Sequence, residues 1–331
     1  MKAILAWARA KPETIAAIGI FAVVYGILLT VSPFERSVYS IQNFSVLLAP
    51  LAMAAFGTCL VLITGGFDLS VAGTISLASA LTATWFDGQA GPPWAKLALI
   101  VLIGAVAGMV NGLLVSFGLQ SLAVSVATFT VLSGLALVTL RAPGGNVPPD
   151  LIKAVNSGVA HVPLPLVFLI VAGLAWWAFT RTRTGTAAFA IGADMPATIL
   201  SGVKVRGVQI TVYTSAGCCY ALAGIFLAAG SSSGDPGAGR PFMLSAFAAM
   251  ALGLVSFRGG RGSAVAAMFG AGTVTALPKM LFAVGIADFW TGICQGAVIL
   301  VALAIPLLVS IVGDRRKLAR AVKAQAVEVT P

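Results

Sequence analysis

The sequence predicts an all-α integral membrane protein of about ten transmembrane helices, with both termini on the cytoplasmic side. Three observations carry this: a composition too apolar for water, a succession of apolar runs of spanning length, and basic residues gathered on one side. The 331 residues are 59% hydrophobic and 9% charged, with a mean hydropathy of +1.02. A soluble domain has roughly a quarter of its residues charged, because its surface must be solvated. A chain with so few charges meets lipid over most of its surface.

A spanning helix needs about 20 mainly apolar residues. Ten runs qualify between polar or Gly/Pro breaks: Thr14–Val31, Ser45–Ile63, Leu69–Trp85, Trp94–Phe117, Leu122–Leu140, Pro163–Phe179, Val208–Ala229, Pro241–Phe257, Ala264–Val284 and Phe289–Gly313. The first follows Lys2, Arg9 and Lys11, but equally apolar runs come after it, so it reads as a retained span rather than a cleaved leader. No interval between runs holds a soluble domain. The organisation is one transmembrane domain over 1–313, with a cytoplasmic loop at about 181–207, and a short basic cytoplasmic tail over 314–331.

Charge sets the orientation. With the amino terminus inside, the inner segments hold Lys2, Arg9, Lys11, Arg181, Arg183, Lys204, Arg206, Arg258, Arg261, Arg315, Arg316, Lys317, Arg320 and Lys323. The outer loops hold Arg36, Arg141, Lys153 and Arg240, while Lys96 and Lys279 lie near span ends. Basic residues collect in cytoplasmic loops, so both termini are inside. The same rule accounts for the net charge of +10 without invoking nucleic acid. The four cysteines, Cys59, Cys218, Cys219 and Cys294, lack metal-ligand spacing and read as core thiols.

The stretch VLITGGFDLSVAG, Val61 to Gly73, interrupts the apolar sequence with a lone carboxylate, Asp68. One broken helix here would reverse the parity and put the basic amino terminus outside. Two spans joined by a turn at Thr64–Asp68 keep it inside. Gly65 and Gly66 suit the turn, and Asp68 suits the first turn of the next helix, where unsatisfied N–H groups meet a carboxylate. Irregular backbone at membrane depth is also where a solute path or a moving joint is found. Gly65, Gly66, Phe67, Asp68, Ser70, Asn111 and Thr128 are therefore candidates for the translocation path or the helix break, with Ser125 and Thr130 as further polar groups. Gly104, Gly108 and Gly112 repeat every four residues, a smooth face for close helix approach in lipid, and Asn111 adjoins it.

In the loop TRTRTGTAAFAIGADMPATILSGVKVRGVQ, Asp194 is a good N-cap, Pro196 fits the first turn, and Gly202 can end the helix in the left-handed region. This frames a helix over Met195–Ser201, too short to stand alone in water. Its Met195, Ile199 and Leu200 need an apolar partner, either the rest of this chain or another subunit. The sequence GGRGS, Gly259 to Ser263, reads as a tight turn.

Four blocks carry a resemblance. LVLITGGFDLSVAGTISLASAL, NGLLVSFGLQSLAVSVATFTVLSGLALV, AIGADMPATILSGVKV and LGLVSFRGGRGSAVAAMFGAG resemble, in this order, blocks of the permease subunits of ABC importers for ribose, xylose, arabinose, galactosides and related small polar solutes. The resemblance runs from about Ile41 to Leu307. Departures are local: Asp194 stands where the family usually has Asn, and Ser121 where a proline is frequent. Met243 and Ser245 stand where many sugar permeases carry acids, and Leu254-Val255 replaces a Gly-Thr-like pair.

The resemblance implies a translocation subunit with no catalytic residues and no metal, in the bacterial cytoplasmic (inner) membrane. Gly192, Asp194, Met195, Pro196, Ala197, Ile199, Leu200, Ser201 and Gly202 would form the coupling element on an ATPase subunit. The chain has no Gly-x4-Gly-Lys-Ser/Thr loop to cradle phosphates, so ATP and Mg belong to that partner and no cofactor to this chain. The implied partners are the cytoplasmic ATPase, a periplasmic solute-binding protein, a second permease copy (identical or different) and the bilayer. Asp150, Lys153, Asp235 and the only histidine, His161, are candidates for seating the binding protein. Nucleosides, polyols and sugar-derived signals are alternative cargoes. A stand-alone secondary transporter would show paired ionisable residues within spans or inverted repeats, and Asp68 alone meets neither pattern. An intramembrane enzyme lacks a nucleophile–base pair.

Overall fold

In lipid a backbone has only itself to bond to, so apolar runs fold as helices. The computed structural model describes residues 12–85, 93–157, 163–286, and residues 290, 292, 293, 296, 297 and 300. Its elements are α1 (Pro12–Val31), a 3-10 turn (Pro33–Arg36), α2 (Val38–Leu62), α3 (Ser70–Thr84), α4 (Pro93–Ser116), α5 (Ser121–Thr139), α6 (Pro149–Ser157), α7 (Leu164–Phe179), α8 (Arg183–Ala193), α9 (Met195–Leu200), α10 (Val205–Ser231), α11 (Gly239–Leu252) and α12 (Ala264–Ala283). Lys2, Arg9, Lys11, His161, Cys294, most of the run Phe289–Gly313 and the tail 314–331 lie outside the described residues.

Six of these helices are long and apolar enough to cross a membrane, or seven if α7 and α8, which meet at 78°, form one bent span. The expectation of about ten is larger for a physical reason. α3 and α11 have only 15 and 14 residues. Every residue of α3 from Ser70 to Ala83 is buried, enclosed by α5, α10 and α11. A helix wrapped in protein needs no lipid-matched length, because irregular backbone at its ends finds protein partners.

α10 is the centre of the bundle. It packs on α4, α2 and α3, while α2 also meets α12, α11 and α7. α2 is buried without interruption from Ala49 to Leu62 and carries Pro50 inside it. It starts at Val38, ahead of the expected Ser45, because the Ser37 hydroxyl accepts the Ser40 N–H at 3.1 Å. The α4–α10 seam uses the glycine repeat. A Cβ at Gly104 would lie 2.5 Å from the Gly217 carbonyl oxygen, and one at Gly108 2.1 Å from that of Tyr213.

At one end of the bundle the segment after α5 folds back rather than looping free. Gly144 and Gly234 exchange backbone hydrogen bonds of 2.9 and 2.8 Å, and Asn146 N–H donates to the Ala83 carbonyl at 2.8 Å. α6, not anticipated from the sequence, buries Val155 completely, and Asn156 Nδ2 donates to the Ala229 carbonyl at 3.3 Å. Asp150 and Lys153 stay exposed, and Asp235 is partly buried. An ion pair also escaped the sequence reading: Lys279 Nζ lies 3.2 and 3.1 Å from the two Glu35 carboxylate oxygens, with the Ser40 hydroxyl donating to Oε2.

Candidate functional site

The break between α2 and α3 organises the polar interior. Ile63 ends α2 and Thr64 Oγ1 closes the turn on the Val61 carbonyl at 2.7 Å. Gly65 then takes φ +81°, the left-handed region that glycine enters without penalty. Asp68 follows, completely buried. It stands one residue before the N-cap position, which Leu69 occupies. Its Oδ1 accepts the Ser70 N–H at 2.9 Å and the Ser70 hydroxyl at 2.5 Å. The carboxylate thus satisfies a first-turn donor of α3, as a capping group does.

From Asp68 a hydrogen-bonded chain crosses three helices. Asn111 Nδ2 on α4 donates to Ser70 Oγ at 3.0 Å, and Thr128 Oγ1 on α5 donates to Asn111 Oδ1 at 2.5 Å. Ser70 and Asn111 are buried, Thr128 partly so. Four of the sequence candidates therefore meet in one network, where each member is satisfied by the next. Phe67 lies alongside; its N–H donates to Ser121 Oγ at 3.1 Å, so the serine that stands where the resemblance expects proline holds the break to α5. Its ring packs on Phe247, centroids 6.1 Å apart. Ser125 and Thr130 return their hydroxyls to their own helix, onto Leu122 and Val126, and stay out of the network.

Two residues of this site were missed by the sequence reading. Tyr213 and Tyr220 on α10 are fully buried, within electrostatic range of Asp68. Neither hydroxyl, nor Asp68 Oδ2, has a hydrogen-bond partner among the described residues. The available signal was their spacing: seven residues apart, on one face of a span. Gly66 backs onto Tyr213, where a Cβ would come within 2.5 Å of the hydroxyl.

The other candidate group lies at the α8–α9 end. Asp194 Oδ1 accepts the Ala197 N–H at 3.0 Å, as an N-cap should, and the helix runs Met195–Leu200 with Ser201 as its C-cap. Gly202 takes φ +78°. Pro196 and Ala197 fill the first turn. Only Thr198 of this helix is buried; Met195, Ile199 and Leu200 are 40, 53 and 88% exposed. Leu200 stands clear of this chain, while Met195 and Ile199 are only partly covered by it. Ahead of α9 the chain forms a second helix, α8, not anticipated from the sequence, where Thr182 Oγ1 accepts the Gly185 N–H at 3.0 Å.

Gly192 connects the two candidate groups. A Cβ there would fall 2.0 Å from the Ile63 carbonyl oxygen, the atom that accepts the Gly260 N–H at 2.9 Å. Gly259, at φ +81°, would place a Cβ 2.8 Å from Gly65 and 3.1 Å from Gly192. Thus the tight turn 256–262, the end of α8 and the turn before Asp68 touch backbone to backbone. Leu254, just before that turn, takes φ +53°, a costly conformation for a residue with a branched side chain. Among the described residues no group of His, Cys, Asp or Glu could hold a metal, and Cys59, Cys218 and Cys219 are free thiols.

A multi-span helical bundle with a polar network at a helix break and an exposed apolar helix on its basic face is the architecture of a membrane transport subunit. The chain belongs to the family described as branched-chain amino acid transport system / permease component, which matches residues 40–303. It is similar to the ribose import permease protein RbsC of Bacillus subtilis, 33% identical over 303 residues (86% of this chain, 91% of the relative). It is also similar to the D-allose transport system permease protein AlsC of Escherichia coli, 27% over 295 residues (88% and 90%). The autoinducer 2 import system permease protein LsrD of Salmonella paratyphi B is 28% identical over 264 residues (76% and 79%). No solved structure matches the chain.

Proposed function

We propose that this chain is the translocating subunit of an ATP-driven importer for a sugar or a similar small polar solute delivered by an extracytoplasmic binding protein. The observation that carries the reading is the likeness, over nearly the whole chain, to permeases named for ribose and allose import. The family description names branched-chain amino acids and one relative autoinducer 2, so a sugar-derived signal is the second cargo.

The reading takes ten spans in the cytoplasmic membrane, both termini inside, with 1–313 as the transmembrane domain and 314–331 as a basic tail. It is supported by the shared end of the bundle on which Arg181, Arg183, Lys204, Arg206, Arg258 and Arg261 sit with the turns at 63–69 and 256–262. The ATPase, which carries ATP and Mg, docks on α9; Met195 and Ile199 also line a groove of about 520 Å³ with Ser116 and Arg206. A second permease copy completes the pore, and the binding protein meets the opposite end near Asp150 and Lys153. Because α8 and the 256–262 turn touch Gly65, movement of α9 on the ATPase reaches the helix break without passing through flexible side chains. The path residues are those around that break.

The test is a mild-detergent pull-down of the tagged chain from its native membrane, with partners identified by mass spectrometry and the ligand of any captured receptor analysed. An ATPase with two nucleotide-binding halves and a sugar-loaded receptor are expected. Leu200→Asp should leave melting of the permease unchanged and weaken ATPase capture about tenfold, as loss of an interface anchor does. A chain that comes out folded and alone every time would sink the reading.

A further inference from the structure

Two grooves on the outside of the bundle run into one another. The larger, about 550 Å³, lies among α1, α2, α7 and α12; the smaller, about 390 Å³, continues it toward Trp177, and Ile170, Gly173 and Val265 line both. The lining is almost wholly apolar and open outward: Leu166, Ile170 and Trp177 are 39, 55 and 56% exposed. From Leu166 to Trp177 the groove follows α7 for about 16 Å at ~1.5 Å per residue. That is 12 of the 16 residues of α7, so the groove runs along most of this helix.

The chemistry changes at the Trp177 end. Thr14, Trp176 and Ser263 line it. Trp176 is 3% exposed, and its indole Nε1 has no partner among the described residues. Buried donors in native structures nearly always have an acceptor, and the described residues supply none to this N–H. One turn further, the Arg181 guanidinium lies 3.7 Å from the centre of the Trp177 ring and donates to the Trp177 carbonyl at 3.2 Å. It is held at the rim, exposed, just before the bend into α8. An apolar slot along α7, ending in an N–H with no partner among the described residues, an interfacial tryptophan and an arginine, matches the order of groups along a phospholipid.

We propose that this groove binds one anionic phospholipid. Its acyl chain lies along α7 past Gly173 to Leu166, its ester or phosphate oxygens accept from Trp176 Nε1, and its headgroup charge pairs with Arg181. The site is separate from the helix break and from α9, and does not depend on the cargo.

Two variants of the full chain separate its parts. A Cβ at Gly173 would meet only Val265 Cγ2, at 4.0 Å, so Gly173→Leu fills the groove without moving backbone. Arg181→Gln removes the charge together with its stack on Trp177. Retained lipid is counted by native mass spectrometry after purification, and affinity is measured for phosphatidylglycerol and phosphatidylcholine in mixed micelles. The wild type is expected to hold one phosphatidylglycerol per chain and to prefer it over phosphatidylcholine. Gly173→Leu should lose both lipids while melting normally in lipid-free detergent. Arg181→Gln should bind phosphatidylglycerol about fivefold more weakly, with phosphatidylcholine unchanged. Should Gly173→Leu fail to accumulate, Ile170→Trp at an exposed position of the same groove replaces it. Phosphatidylglycerol held as tightly by the filled variants as by the wild type overturns the proposal. So does a wild type indifferent to headgroup charge, or cross-linking that shows a second copy of the chain seated in the groove.

Discussion

Gly108→Leu is expected to yield no stably folded protein, while Gly134→Leu, on the neighbouring helix, accumulates and melts as the wild type does. The contrast isolates packing from propensity, since both changes replace a helical glycine by a good helix former. At Gly134 an added Cβ meets nothing within 4 Å. At Gly108 it would sit 2.1 Å from the Tyr213 carbonyl oxygen and 3.2 Å from Gly217 Cα. Backbone cannot turn aside as a side chain can, so α4 and α10 would have to separate. Overpacking of a core typically costs ~1–3 kcal/mol, and here it also pulls Asn111 away from Ser70. The expected loss is at or above the top of that range, read as the yield of monodisperse protein and its melting temperature in detergent. Equal melting of the two variants would show that the seam is looser than its geometry.

Asp68→Ala should be the most damaging single change at the helix break, and Asp68→Asn much milder. Alanine removes the acceptor for both the Ser70 N–H and the Ser70 hydroxyl. Each buried donor left without a partner costs about 1–3 kcal/mol, and freeing the Ser70 hydroxyl loosens the Asn111–Thr128 link behind it. Asparagine keeps the Oδ1 acceptor, and its amide replaces an Oδ2 that has no partner among the described residues. Melting temperature and solute-stimulated ATPase activity of the assembled importer are the readouts. Full activity in both variants would remove Asp68 from any role at the break.

Much of this molecule is legible in its sequence. The apolar runs predicted nine helices that the structure describes, and the Asp194 cap with the Gly202 terminator framed α9 within a residue. The Gly104–Gly108–Gly112 repeat marked a close helix approach before any partner was known. Each of these signals is local, resting on a short window of residue types. α6 and α8 were missed because both lie in loops whose composition is mixed, and their helical state depends on docking against α10 and on the Thr182 cap.

The sequence by itself determined that the chain lives in lipid, roughly where it crosses, and to which family it belongs. Those properties depend on run length, charge placement and motif order along the chain. Only the tertiary structure decided which polar side chains meet. Thr128 finds Asn111 across 17 residues and Asn111 finds Ser70 across 41, while Tyr213 and Tyr220 of the central α10 are buried within electrostatic range of Asp68. It also decided that Gly65, Gly192 and Gly259 form one junction between the α8–α9 segment and the helix break. The physical reason is that these spans are apolar on every face, so periodicity does not say which side turns inward. In lipid, that choice is made by close packing and by polar groups finding one another.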